Sequence, residues 1–372
     1  MRIHGAVLEE SGRPGPYAES RPIAVVELEL DDPGPDELRI RIEAAGVCHS
    51  DLSVVDGNRP RPLPMLLGHE AAGIVEALGP GVEDIEVGTR VALAFLPRCG
   101  RCANCRTDGR LPCTPGSAAN GAGTLMHGGI RLHREGAGGV EEVRHHLGVA
   151  GFATHAVVDR RSVVPVGDDI PAEVAAVLGC AVLTGGGALI NAGRPRAGDT
   201  VVVVGLGGVG MAALITALAL EDVAVIGVDA LPAKLDRARA LGATAAYTPQ
   251  QAVEQGVKAA VVLEAAGHPR AFETAVQLTG VGGVTVTVGL PAPTATSTIS
   301  PLGLTAEARS IVGSYLGSAV PERDIPYFAE LWRAGRLPVE ELISDRIGLS
   351  QINEAMDRLA AGEAVRQVIL FD

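Results

Sequence analysis

Aromatic side chains are scarce: one Trp, four Tyr and five Phe make up 3% of the 372 residues. With 48 glycines alongside them, the interior has to be built mainly from Val, Ala and Leu. Basic charge is also short. Asp and Glu outnumber Lys and Arg by 44 to 31, a formal net charge of -13, and no run of basic residues offsets it. Nucleic acid and acidic membrane surfaces are therefore excluded as expected partners, because net repulsion would oppose either. The opening MRIHGAVLEESG lacks an apolar stretch of signal-peptide length, so the expected compartment is the cytoplasm. Disulfides are not expected there. No internal repeat occurs.

One long uncharged run is present, VVVVGLGGVGMAALITALAL from Val201 to Leu220. It is long enough to cross a bilayer. Its β-branched start and the Gly-rich turn that follows predict a buried strand and then a buried helix instead, with no membrane span. At 47% hydrophobic and 20% charged the chain is globular, and its length implies two domains.

The first part reads as β-rich and antiparallel: ELRIRI at 37–42 alternates polar with apolar, and AAGIVEALG and TRVALAF continue the pattern. From about residue 200 the runs become continuously apolar (VVVVG, VAVIGVD, AAVVLEAAG, GGVTVTVGL) and alternate with helical segments. That pattern predicts an α/β unit, a doubly wound parallel sheet covered on both faces. The C-terminal part predicts amphipathic helix and a last strand in VRQVILFD, and the Gly-rich stretch 114–139 reads as loop.

Cys99, Cys102, Cys105 and Cys113 follow C-x2-C-x2-C-x7-C. Thiols so spaced on one loop can converge on a metal. Thiolates suit zinc, although iron–sulfur clusters use similar spacings. Four thiolates would close the site and give it a structural role. The remaining cysteines, Cys48 in GVCHSD and Cys180 in GCAVLTG, stand apart, with His69 in GHE between them. Each alone fits a buried core residue. Together, two thiolates and an imidazole would neutralise a zinc ion and leave a fourth position open.

Gly205-Leu206-Gly207-Gly208-Val209-Gly210 is G-x-G-x-x-G, preceded by VVVV and followed by an apolar helix. Asp229 ends the next strand run. Such a turn presents backbone amides to a pyrophosphate, and the acid accepts from the ribose hydroxyls while repelling a 2'-phosphate, which favours NAD over NADP.

GVCHSD, GHEAAG, the cysteine quartet, GCAVLTG and GLGGVG stand in the order and approximate spacing of the zinc-dependent medium-chain alcohol dehydrogenases, a family that the chain resembles over nearly its whole length. The resemblance implies a GroES-like catalytic domain at 1–181 and 316–372 and a Rossmann coenzyme domain at 182–315. It implies a catalytic zinc on Cys48, His69 and Cys180, with Glu70 as an occasional alternative ligand, a structural zinc on the quartet, and Asp51 behind His69. It implies that His49 and Arg366 contact the pyrophosphate, that Lys234 reaches the adenosine ribose, and that Thr184 and Val288 flank the nicotinamide. Ser50 resembles the hydroxyl that passes on the alcohol proton; Ser53 stands where several relatives carry the relay's outer histidine.

Phe95 and Phe152 match positions that line the alcohol site in relatives, though either also fits the core, and Arg59 stands at the pocket rim where many have an apolar residue; it reads as a surface arginine, with an anionic or carboxylate-bearing substrate as the other reading. In the glutathione-dependent formaldehyde dehydrogenases an arginine shortly after the fourth quartet cysteine binds the thiol's carboxylate; Ser117 is at that place. The pair His145-His146 resembles one in longer relatives and carries no assigned role. The implied reaction is hydride transfer between an alcohol or aldehyde and NAD by a homodimer or homotetramer. A thiol-adduct formaldehyde dehydrogenase is the alternative, and a zinc-ribbon interaction module with a nucleotide-sensing domain is the reading from another class.

Overall fold

The computed structural model describes residues 1–136 and 138–371; position 137, within the predicted loop, and position 372 lie outside the described residues. The apolar runs after residue 200 form six parallel strands. Across the sheet they lie in the order Ala245–Tyr247, Ala224–Val228, Thr200–Val204, Ala259–Glu264, Thr279–Thr287, Ser310–Gly313. The strand order reverses between Thr200–Val204 and Ala259–Glu264, and the crevice beyond their carboxyl ends is where such sheets bind ligands. The uncharged run divides as its composition predicts, into strand Thr200–Val204 and helix Gly208–Leu218.

The β-rich part forms two further sheets. One is a closed barrel of Arg2–Leu8, Ile23–Leu30, Leu132–Gly136, Gly139–His145 and Met65–Leu66. The other has seven strands centred on Glu37–Val47, against which the C-terminal strand Gln367–Leu370 pairs. Pairing is antiparallel except at Met65–Leu66 with Gly139–His145 and at Asp345–Ile347 with Gln367–Leu370. Both exceptions join segments connected by long excursions of chain, which local alternation cannot register.

The stretch 114–139 is not all loop. Thr114–Ala122 is a helix with Pro115 in its first turn and Gly123 (φ 69) ending it, and Leu132–Gly136 is a barrel strand. The helix is held by tertiary contacts, among them Asn120 Nδ2 donating to the Phe95 carbonyl at 2.7 Å.

Among the described residues one helical stretch, Ala172–Gly193, is long and apolar enough to cross a membrane, and 83% of its apolar window is buried inside the fold. One end packs on the strands Glu37–Val47 and Glu70–Leu78, the other on helix Gly208–Leu218. It thereby ties the β-rich half to the parallel sheet.

His145, in the barrel, is fully buried, and its Nε2 accepts the Arg131 N–H at 3.0 Å. Burial, reinforced by Arg131 and His133, pushes its pKa down to about 3. The unfolded chain takes up this proton near about pH 6.5 and the native state does not, so stability is retained above that pH and lost as pH falls towards 3. Urea unfolding at pH 7 and pH 5 should show a loss from this group of about 2 kcal/mol, absent in His145→Gln. An equal loss in the variant would assign the acid sensitivity to other groups.

Candidate functional site

Strand Glu37–Val47 delivers Cys48 to the start of helix His49–Val55, and Asp51 caps that start by accepting the Cys48 N–H at 3.1 Å. His69 precedes strand Glu70–Leu78. Cys180 lies in a π-helical turn, Leu178–Val182, of the buried connecting helix. Such turns interrupt helices mostly at functional sites. The ligand atoms of Cys48, His69 and Cys180 all lie within 4.8 Å of one another, with Cys180 Sγ 3.4 Å from His69 Nε2, and all three residues are buried. His69 Nδ1 is 3.0 Å from Asp51 Oδ1. That bond fixes the ring so that Nε2 faces the thiols.

Burial alone would raise Asp51, yet the imidazoles of His69 and His146 overcome it and hold the carboxyl at about 2. A hydrogen bond from Cys180, helped by Arg366, holds the Cys48 thiol well below its usual range. Two sulfurs and one imidazole nitrogen fit a zinc ion with an open fourth position. Glu70 is outside this converging set. Its buried carboxyl lies 3.5 Å from Arg366 Nε, and burial raises it to about 7.

The quartet Cys99, Cys102, Cys105 and Cys113 also converges within 4.8 Å. Cys113 Sγ accepts the Cys99 N–H at 3.3 Å, and Cys99 and Cys102 sulfurs accept the N–H groups of Cys102 and Cys105 at 3.4 Å each. Backbone donors bring the Cys102 thiol down to about 6. Burial acts the other way on Cys105 and Cys113, raising the first to about 12; what fits zinc here is the convergence of four sulfurs on one loop.

A cleft of ≈ 480 Å³ joins the reactive cysteines to the carboxyl ends of the parallel strands. Cys48, His49, Ser50, Cys180 and Thr184 line one end, and Gly205, Gly207, Gly208, Val209, Asp229, Lys234, Val288 and Arg366 line the rest. Gly205 has φ +91, which favours glycine, and a Cβ on Gly210 would lie 1.8 Å from the Gly205 carbonyl. Leu206 is buried, and its N–H donates to Asp229 Oδ2 at 2.7 Å; the other Asp229 oxygen accepts from Leu231 at 2.9 Å. Arg366 packs against Gly208 and donates to the Val47 carbonyl at 3.1 Å.

Phe95 lines the cleft, whereas Phe152 does not. Phe152 is fully buried against Gly68, where a Cβ would lie 2.5 Å from it, so it is a core residue. Ser53 lines the cleft, but its hydroxyl donates to the His49 carbonyl at 2.8 Å. Ser117 is exposed on its helix and outside the cleft. The sequence reading missed His146: its Nδ1 lies 3.0 Å from the same Asp51 oxygen that holds His69, though off the angle of a full hydrogen bond. It also missed Arg61 and Tyr315, which line a side chamber next to Ser50.

Residues 34–168 match the alcohol dehydrogenase GroES-like domain family, and residues 208–333 match the zinc-binding dehydrogenase family. The chain is 34% identical over 382 residues to alcohol dehydrogenase B of Mycobacterium tuberculosis, covering 100% of this chain and 99% of that one. The NDMA-dependent alcohol dehydrogenase of Amycolatopsis methanolica is similar at the same identity, length and coverage. Among solved structures, the benzyl alcohol dehydrogenase of Acinetobacter calcoaceticus superposes with a TM-score of 0.90 at 29% identity, covering 100% of both chains.

Proposed function

The chain belongs to the zinc-binding medium-chain alcohol dehydrogenases, and from that premise we propose an NAD-dependent enzyme carrying a catalytic zinc on Cys48, His69 and Cys180 and a structural zinc on the cysteine quartet. One observation carries the reading. The Cys48 and Cys180 thiols, with the buried His69 imidazole within 4.8 Å behind them, open onto the same cleft as the glycine turn and Asp229.

Zinc, when bound, acidifies the alcohol proton, and the nicotinamide accepts the hydride with its electron pair. The protein's own residues do the rest. Asp51 fixes the His69 ring. Ser50, lining the cleft beside Cys48, would take the hydroxyl proton; the Ser53 hydroxyl is bound to the His49 carbonyl, so the outer base would be solvent or another residue. Thr184 and Val288 would hold the nicotinamide, Asp229 and Lys234 the adenosine ribose, and Arg366 and His49 the pyrophosphate. Arg366 stays charged in its buried place because Glu70 and the thiols offset the cost of burial.

Ser117, exposed on its helix, provides no carboxylate anchor at the place where the formaldehyde dehydrogenases carry their arginine, so alcohols are favoured over thiol adducts. We propose domain limits at 181/182 and 315/316; the last strand of the parallel sheet ends at Gly313, near the second of them. A homodimer or homotetramer is proposed from the family resemblance alone. An alcohol panel with NAD, followed by NADH absorbance with and without glutathione, tests the activity. Turnover that requires the thiol would overturn the preference for alcohols over thiol adducts, and no turnover with any alcohol would overturn the dehydrogenase reading.

A further inference from the structure

We propose that the side chamber next to Ser50 receives an anionic group, so that the preferred substrate is an alcohol bearing a carboxylate at the end distant from its hydroxyl. This rests on the dehydrogenase reading above. The chamber, ≈ 30 Å³, shares Ser50, Arg59, Phe95, Leu290 and Tyr315 with the cleft, and Arg61 lines it from the far side. No Asp or Glu lines it.

Both arginines are partly buried. Several partly buried arginines face carboxylates: Arg131 meets Glu37 at 2.7 Å, Arg161 meets Asp159 at 2.7 Å and Arg90 meets Glu43 at 3.0 Å. Arg59 has only a bond from Nη2 to the Leu290 carbonyl at 3.2 Å, and the buried Nε of Arg61 has no partner among the described residues. Desolvation lowers the Arg59 pKa. The carboxylate of Asp56, in the cleft, is taken up by the backbone and side-chain amides of Asn58, both at 2.8 Å. Two partly buried cations with no carboxylate in contact leave guanidinium donors unused, and a ligand carboxylate is the group that a guanidinium fork matches.

Size and walls narrow the choice. The chamber has room for about two water-sized groups, which suits a carboxylate better than a phosphate. The Phe95 ring lies edge-on to His69 at 5.3 Å and to Tyr315 at 5.9 Å. An apolar or aromatic spacer would run along it from the reactive end to the arginines.

The test uses the zinc-loaded enzyme with NAD and three substrates: 4-(hydroxymethyl)benzoate, its methyl ester, and benzyl alcohol. The acid should exceed the ester in kcat/KM by at least about tenfold, and Arg61→Met should cut that ratio by roughly 10- to 100-fold, with Arg61→Lys retaining part of it. Calorimetric titration of the NAD-saturated protein with benzoate should show weaker binding in Arg61→Met by a similar factor. An acid-to-ester ratio of one or less, or equal loss for both substrates in Arg61→Met, overturns the proposal. If benzyl alcohol is still oxidised in that case, the dehydrogenase reading stands; Arg61-dependent benzoate binding without oxidation of any alcohol overturns that reading instead.

Discussion

Cys48→Ala should lower alcohol oxidation by roughly a thousandfold or more while NAD binding persists. The thiol is one of three donors converging from separate elements, and two remaining donors hold a metal poorly. Loss of Lewis-acid assistance removes several kcal/mol from the transition state, and about 1.4 kcal/mol is a factor of ten. The cofactor cradle is built on the ends of the parallel strands, so titration of NAD against protein fluorescence should give an affinity close to wild type. His69→Ala should abolish turnover as well. It leaves the buried Asp51 carboxylate without its main partner, which is destabilising; Cys48→Ala is the cleaner variant. Near-normal kcat/KM in either would remove the catalytic-zinc assignment.

Asp229→Gly should shift cofactor choice by one to two orders of magnitude. The carboxylate stands at the end of strand Ala224–Val228 and lines the cleft, where it would accept from the ribose hydroxyls and repel a 2'-phosphate. Losing a hydrogen bond to a charged group costs about 1.5–3 kcal/mol, roughly 10- to 100-fold in affinity. Lys234 remains in the cleft to meet the phosphate of NADP. The same carboxylate also holds the Leu206 and Leu231 amides, so the substitution will loosen the turn. That loss is common to both cofactors, and the NADP-to-NAD ratio of kcat/KM cancels it. An unchanged ratio would mean that Asp229 does not face the ribose.

The parallel sheet was legible because strands buried on both faces read as continuous apolar runs, and VVVV before GLGGVG leaves little choice of register. The two cysteine groups were legible for another reason: metal donors need particular residue types whatever the packing around them. Asp51–His146 was not, because that contact joins a helix start to a loop far along the chain and neither residue carries a local pattern that demands it. The helix Thr114–Ala122 was hidden by weak propensity and depends on tertiary bonds such as Asn120 to Phe95. Phe152 illustrates a general ambiguity, since a core aromatic and a pocket-lining one look alike until the cavity is seen. Arg59 was legible as a rim arginine in NRPRPLP, but Arg61 carries no signal there; their shared chamber beside Ser50 exists only in the fold.

Zinc content per chain tests the central claim most directly. Inductively coupled plasma measurement on protein purified without chelator should give two zinc ions per chain for the wild type and one for Cys48→Ala. Cys102→Ser should also give one, with a lowered Tm, since the quartet pins its loop through the metal. One zinc in the wild type, or an undiminished count in Cys48→Ala, would contradict a reactive zinc held by Cys48, His69 and Cys180.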